Sequence, residues 1–167
     1  SSAASDVYKR QYNNIAVDYE KQNKYDEALE YHNKSLDIRI NKLGNDHTDV
    51  AGSYNNIALV YQAQNKYDEA LEYHNKSLDI YINKLGKDHT KVATSYNNIA
   101  CVYDSQNKYD EALEYYNKSL DIYINKLGKD HTDVAGSYNN IGLVYASQNK
   151  YDEALEYYNK SLDIRIN

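Results

Sequence analysis

Residues 54–95 read YNNIALVYQAQNKYDEALEYHNKSLDIYINKLGKDHTKVATS, and residues 96–137 read almost the same. Six positions differ: Leu59/Cys101, Gln62/Asp104, Ala63/Ser105, His74/Tyr116, Lys91/Asp133 and Thr94/Gly136. The other 36 of the 42 are identical, so the stretch is one unit of a tandem repeat. Its opening Tyr-Asn-Asn-Ile begins at Tyr12, Tyr54, Tyr96 and Tyr138, which gives four copies at a period of 42 residues. Residues 1–11 do not fit. Asp6-Val7 resembles Asp49-Val50 but stands one residue further from its Tyr. This stretch reads as an atypical N-terminal segment that can extend the first helix. Residues 12–167 read as the repeat array, in helix pairs over about 12–44, 48–86, 90–128 and 132–167.

Each copy predicts two helices, A and B. In the second copy, helix A is expected from about Asp49 to Gln64, with Thr48 as its N-cap. Val50, Tyr54, Ile57, Ala58 and Tyr61 follow the spacing of one helical face. Asn65 stands where a helix end needs a residue that tolerates left-handed geometry. Helix B is expected from about Tyr67 to Leu85. Asp68 and Glu69 fall in its first turn, where the helix dipole favours negative charge. Glu72 and Lys76 are spaced for a favourable pair. Ala70, His74, Ser77, Leu78 and Tyr81 form its expected buried face, and Gly86 closes it. One such hairpin cannot bury its own apolar face, so stability is expected from stacked neighbours.

Composition narrows the function. Of the 167 residues, 21 are Tyr, while Phe, Trp, Met and Pro are absent, so Tyr alone fills aromatic space and its hydroxyl needs polar partners. A net charge of −6 without a basic stripe argues against a nucleic-acid partner and an anionic membrane surface. The apolar runs are too short for a membrane span, and Ser1-Ser2-Ala3-Ala4 does not open a secretion signal. The sequence does not begin with Met and reads as a fragment. The single cysteine, Cys101, fits a reducing compartment, and a cytoplasmic location is expected.

These residues resemble the tetratricopeptide repeat family. The family's pattern is matched by Tyr54, Ile57-Ala58, Tyr61, Tyr67, Ala70, His74 or Tyr116, and Ser77. The long period, the Leu-Gly-Lys-Asp-His linker and Asn-Asn-Ile-Ala-x-Val-Tyr resemble the repeats of kinesin light chains. The resemblance spans residues 12–167. It implies an all-α, right-handed superhelical solenoid of four helix-turn-helix repeats. Thr48, Thr90 and Thr132 stand where the family often has Pro, and the family's close-contact glycine occurs only as Gly142.

The resemblance also implies a binding face. In the family, helix A lines the concave surface, which maps onto Gly52, Asn55, Asn56, Leu59, Gln62 and Ala63 in the second copy. Amides recur at Asn13, Asn55, Asn97 and Asn139, and again at Asn14, Asn56, Asn98 and Asn140. Such a ladder offers donors and acceptors to an extended peptide backbone. The alternative is that the asparagines tie neighbouring repeats together through backbone bonds. Copies differ most on this face: Val17/Leu59/Cys101/Leu143, Glu20/Gln62/Asp104/Ala146 and Arg10/Gly52/Thr94/Gly136. Partner tuning or drift accounts for that equally. The clamp that grips terminal carboxylates in tetratricopeptide cochaperones is not expected, because Arg10 alone is basic at those positions. A neutral or basic peptide is favoured.

Other features read as structural. His47, His89 and His131 recur in linkers, too far apart for one metal, and are expected to bond their own turns. His32 and His74 exchange with Tyr116 and Tyr158, which marks packing rather than catalysis. Cys101 reads as a small hydrophobe. The Asn-Lys-Ser acceptor sequences at Asn33, Asn75, Asn117 and Asn159 fall inside helix B. No cofactor, metal site or catalytic constellation is expected, so the reading is a non-catalytic scaffold that binds protein or peptide. The alternative is a self-associating structural protein. No polar capping helix follows the fourth copy in this sequence, and Leu155, Tyr158 and Leu162 are expected to be exposed there.

Overall fold

The computed structural model describes residues 2–166, with side chains from Val7 to Arg165. All regular structure among the described residues is helical. The helices are α1 (Ser2–Lys21), α2 (Tyr25–Leu43), α3 (Thr48–Ala63), α4 (Tyr67–Leu85), α5 (Thr90–Ser105), α6 (Tyr109–Leu127), α7 (Thr132–Ser147) and α8 (Tyr151–Ile166). Odd-numbered helices are the A helices and even-numbered ones the B helices. Each A helix packs with the B helix after it as a tetratricopeptide-type pair. The chain forms two compact units, one up to Lys84 and one from Leu85 onward, each holding two pairs.

Two recurrent turns make the pairs. The A-to-B turn places Asn23, Asn65, Asn107 and Asn149 at φ of 57 to 61°. The Lys66 N–H reaches back to the Tyr61 carbonyl at 2.9 Å, and the Asn65 N–H reaches the Gln62 carbonyl at 2.9 Å. These bonds satisfy the last carbonyls of helix A in a left-handed cap, and Asn tolerates the conformation. The Tyr67 hydroxyl then donates to Asn65 Oδ1 at 2.9 Å, a lock repeated at Tyr25, Tyr109 and Tyr151. After helix B, Gly44, Gly86 and Gly128 take φ of 88 to 90°, which a side chain would resist.

Helices α3, α5 and α7 start at Thr48, Thr90 and Thr132, but the cap of α3 is not Thr48. His47 is the N-cap, and its Nδ1 accepts the Asp49 N–H at 3.1 Å. His89 and His131 do the same for Lys91 and Asp133. An unprotonated ring nitrogen serves here in the role that a Ser or Asp oxygen usually fills.

The core follows the periodicity. Val50, Ile57 and Val60 on α3 are fully buried, as are their counterparts Val134, Ile141 and Val144 on α7. In the first unit Leu36, Val50 and Ile57 cluster; in the second, Ala100, Ala112, Tyr116, Leu120, Val134, Ile141 and Val144 do. The buried face of α4 is Ala70, His74, Ser77, Leu78 and Tyr81, as the sequence predicts. Tyrosines knit each pair: Tyr73 of α4 lies 5.8 Å from Tyr54 and 5.5 Å from Tyr61 of α3, centroid to centroid. The Lys76 ammonium sits 4.6 Å over the Tyr73 ring and 2.6 Å from Glu72 Oε1.

Candidate functional site: the helix A face

The second Asn of one repeat meets the first Asn of the repeat before it. Asn140 Nδ2 donates to Asn97 Oδ1 at 3.0 Å, and Asn56 Nδ2 reaches Asn13 Oδ1 at 3.5 Å. In these two places the tie between repeats runs from amide to amide. It consumes part of the hydrogen-bonding capacity that the sequence reading gave to a peptide. Asn55, Asn98 and Asn139 are half-buried, and Asn14 is exposed beside Val7, Arg10 and Gln11.

The position after the small helix A residue is open in three repeats. Val17, Leu59 and Leu143 are 36%, 43% and 50% exposed. In the third repeat Cys101 is half-buried instead, with its sulfur 3.1 Å from the Tyr116 hydroxyl. Burial pushes the Cys101 thiol pKa up, which opposes formation of a reactive thiolate. Gln62 and Asp104 are half-buried, and burial raises the Asp104 carboxyl pKa.

These positions are coupled to one slot on helix B, which each repeat fills differently. His32 Nε2 lies 2.6 Å from Glu20 Oε1. His74 is fully buried, neither ring nitrogen has a partner, and desolvation lowers its pKa to about 4. Tyr116 bonds Cys101. Tyr158 leans over Gly142, where an added Cβ would stand only 2.7 Å from the ring. Tyr158 is therefore half-buried rather than exposed, whereas Leu155 and Leu162 are 57% and 51% exposed on α8.

Between repeats, the same face carries a recess that sequence reading missed. In the second unit it measures about 200 Å³ and is lined by Asn97, Tyr123, Thr132, Asp133, Gly136, Ser137 and Asn140. In the first unit the corresponding residues meet Arg39. Its Nη1 donates to the Asp49 carbonyl at 3.3 Å and to Ser53 Oγ. The signal was present as Arg39 and Arg165 standing where Tyr81 and Tyr123 stand in the inner copies.

Among the described residues, no group of three or more His, Cys, Asp and Glu side chains is placed to hold a metal ion. None of the described helices is long and apolar enough to cross a membrane. The Asn75 amide donates to the Leu71 carbonyl at 2.8 Å within α4, as Asn33 and Asn117 do within α2 and α6.

Paired helices, left-handed Asn turns and interlocked Tyr residues define a helical-repeat protein of the tetratricopeptide class. The tetratricopeptide repeat family model matches residues 11–83, 49–125 and 109–167, and the chain belongs to that family. Its fold is that of a protein–protein interaction scaffold. No curated protein is significantly similar in sequence. Among solved structures, BtubC (BKLC) from P. vanneervenii superposes with a TM-score of 0.83 at 24% identity, covering 97% of this chain and 65% of that one. A putative kinesin light chain from Podosopora anserina with nearly identical TPR-like repeats superposes with a TM-score of 0.76 at 22% identity, covering 94% and 74%. The apo form of RapI gives 0.77 at 22% identity, covering 94% and 55%. At these identities the likeness is one of fold.

Proposed function

We propose that the chain is a non-catalytic scaffold that holds an extended, neutral to basic peptide along the helix A face. The observation that carries this reading is the solvent-open apolar position at Val17, Leu59 and Leu143, which recurs in three of the four A helices one turn after the paired asparagines. A monomer gains nothing by exposing an apolar side chain at the same register in three repeats, whereas a peptide side chain seated there buries it. Gln62 and Asp104 lie one turn further along and add polar contacts. The net charge of −6 favours a cationic partner.

The test is capture from a random peptide library displayed on phage. Leu59→Glu and Leu143→Glu are expected to abolish capture while helicity and melting temperature stay unchanged. These positions are better probes than Asn97, whose loss would orphan the Asn140 amide. Capture that survives both changes sinks the reading.

Exposure of Leu155 and Leu162 on α8 favours self-association as a second reading. Their counterparts Leu71 and Leu113 are half-buried, and Leu78 and Leu120 are buried. Light scattering over a wide concentration range distinguishes the two. A mass that rises with concentration and stays at 19.3 kDa in Leu162→Lys would support it, and a constant 19.3 kDa would end it.

A further inference from the structure

The two units solve the same inter-repeat recess in opposite ways. In the first, Arg39 of α2 crosses to α3 and places its guanidinium on the Asp49 carbonyl and Ser53 Oγ. Gly52 leaves room on the same face, where the Tyr81 hydroxyl stands 3.8 Å from the Cβ position. In the second unit α7 repeats both acceptors, at Asp133 and Ser137, and the open Gly136; Ser137 Oγ donates to the Asp133 carbonyl at 2.9 Å, as Ser53 Oγ does to that of Asp49 at 3.3 Å beside Arg39. The residue in the place of Arg39 is Tyr123, and its hydroxyl turns instead to Thr94 Oγ1 at 2.9 Å. A Cβ at Gly136 would meet nothing within 4 Å. Arg165, in the place of Tyr81, is exposed and does not line the recess. The acceptors are kept and the guanidinium that uses them is missing.

We propose that the recess formed by Tyr123, Asp133, Gly136, Ser137 and the Asn97–Asn140 pair is a binding site for an arginine side chain of a partner peptide. The proposal deepens the helix A reading and rests on it for the peptide. The chain supplies its own template, because Arg39 shows which group these acceptors hold. The chemistry agrees. The Asp133 carbonyl and Ser137 Oγ accept N–H bonds, and the Asp133 carboxylate at the rim adds charge. The His131 Nδ1 that caps the helix lies 3.5 Å from Asp133 Oδ2. Tyr123 lines the recess, and an aromatic ring suits a planar guanidinium better than an ammonium. A recess of about 200 Å³ has room for one side-chain head. In the third repeat Lys91 and Thr94 replace the Asp and the Gly, so the site belongs to the Asp-x-x-Gly copies alone.

The experiment follows amide chemical shifts of the isotope-labelled full chain during titration with N-acetyl-arginine methylamide. Parallel titrations use the blocked lysine and blocked citrulline. Millimolar binding is expected of a single charge-assisted contact. Gly136, Ser137 and Asn140 should shift with arginine, less with lysine and not with citrulline, while Gly52 and Ser53 stay still. Arg39→Ala should empty the first recess and bring Gly52 and Ser53 into the response. Gly136→Thr, which installs the third repeat's residue in open space, should remove the response with the helical circular dichroism intact. No shift at the recess, equal shifts with citrulline, or shifts that appear only after Arg165→Ala would each overturn the proposal. Captured library peptides that lack arginine and ignore Gly136→Thr would overturn it while leaving the scaffold reading in place. Blocked arginine seated in a chain that captures no peptide would do the reverse.

Discussion

The unit up to Lys84 and the unit from Leu85 onward are nearly one sequence written twice, displaced by two 42-residue periods. Their buried aliphatic residues are interchangeable: Val50, Ile57 and Val60 in one, Val134, Ile141 and Val144 in the other. They part company at polar groups. His74 in the first unit is buried with no partner, whereas Tyr116, in the same slot of the second, bonds Cys101 at 3.1 Å. Arg39 fills a recess in the first that stands open beside Tyr123 in the second. Apolar packing and the hydrogen bonds of the turns are what the repeat keeps between its copies. The helix B slot of His74 and Tyr116 and the position of Arg39 and Tyr123 are where the copies acquire individuality, and a buried polar group without a partner there carries a cost.

The largest expected effect breaks this comparison at His74. Its folded-state pKa, about 4, lies below the ordinary 6.5 because burial disfavours the imidazolium. Below about pH 6.5 the unfolded chain takes up a proton that the folded chain refuses until about pH 4. Stability therefore falls as pH drops through that window and is level below it. The loss approaches roughly 3 kcal/mol at the acid end. His74→Leu should abolish this component and also remove two unpaired ring nitrogens, so it stabilises the chain at neutral pH by about 1 kcal/mol. Urea unfolding followed by far-ultraviolet circular dichroism on both proteins measures it. A difference between them that does not change with pH would show that His74 is solvated.

The sequence made this architecture readable because one pattern is printed four times. Period, turn positions, the left-handed Asn65 and the buried face of α4 all follow from spacing and residue chemistry local to one copy. What escaped depends on a choice between neighbouring caps or on groups on different helices. His47 as N-cap was hidden because Thr48 beside it has the more usual capping oxygen. The Asn140–Asn97 bond joins residues of adjacent copies, and identical asparagines do not announce which pair will meet. Arg39 read as a surface exception to Tyr, because its target lies on the next helix.

Gly142 and Tyr158 give a second, smaller effect. The pairs Ala58 with His74 and Ala100 with Tyr116 coexist, yet a Cβ at 142 would stand 2.7 Å from the Tyr158 ring and 3.3 Å from the Ala154 carbonyl. Gly142→Ala gains about 1 kcal/mol of helix propensity and loses 1–3 kcal/mol, roughly, to overlap, so alone it decides little. The double-mutant cycle with Tyr158→His decides. Removing the ring should turn Gly142→Ala stabilising, with a coupling of about 1–2 kcal/mol between the two sites in denaturant melts. Additive effects would mean that the ring moves aside freely.

The smallest effect concerns the asparagines, and it bears on function. The Asn140–Asn97 bond at 3.0 Å is well formed, and the Asn56–Asn13 contact at 3.5 Å is at the limit of one. Asn140→Ala should therefore lower stability by about 1 kcal/mol and Asn56→Ala by about half that, as read from hydrogen-exchange protection in each unit. The inequality separates two roles for the ladder. An amide that works chiefly as a tie between repeats loses stability in proportion to the quality of its bond, with peptide capture reduced only as far as the fold is. An amide that works chiefly as a peptide grip loses capture first, and then the weaker tie at Asn56, with more of its amide to spare, should be the more damaging site to remove.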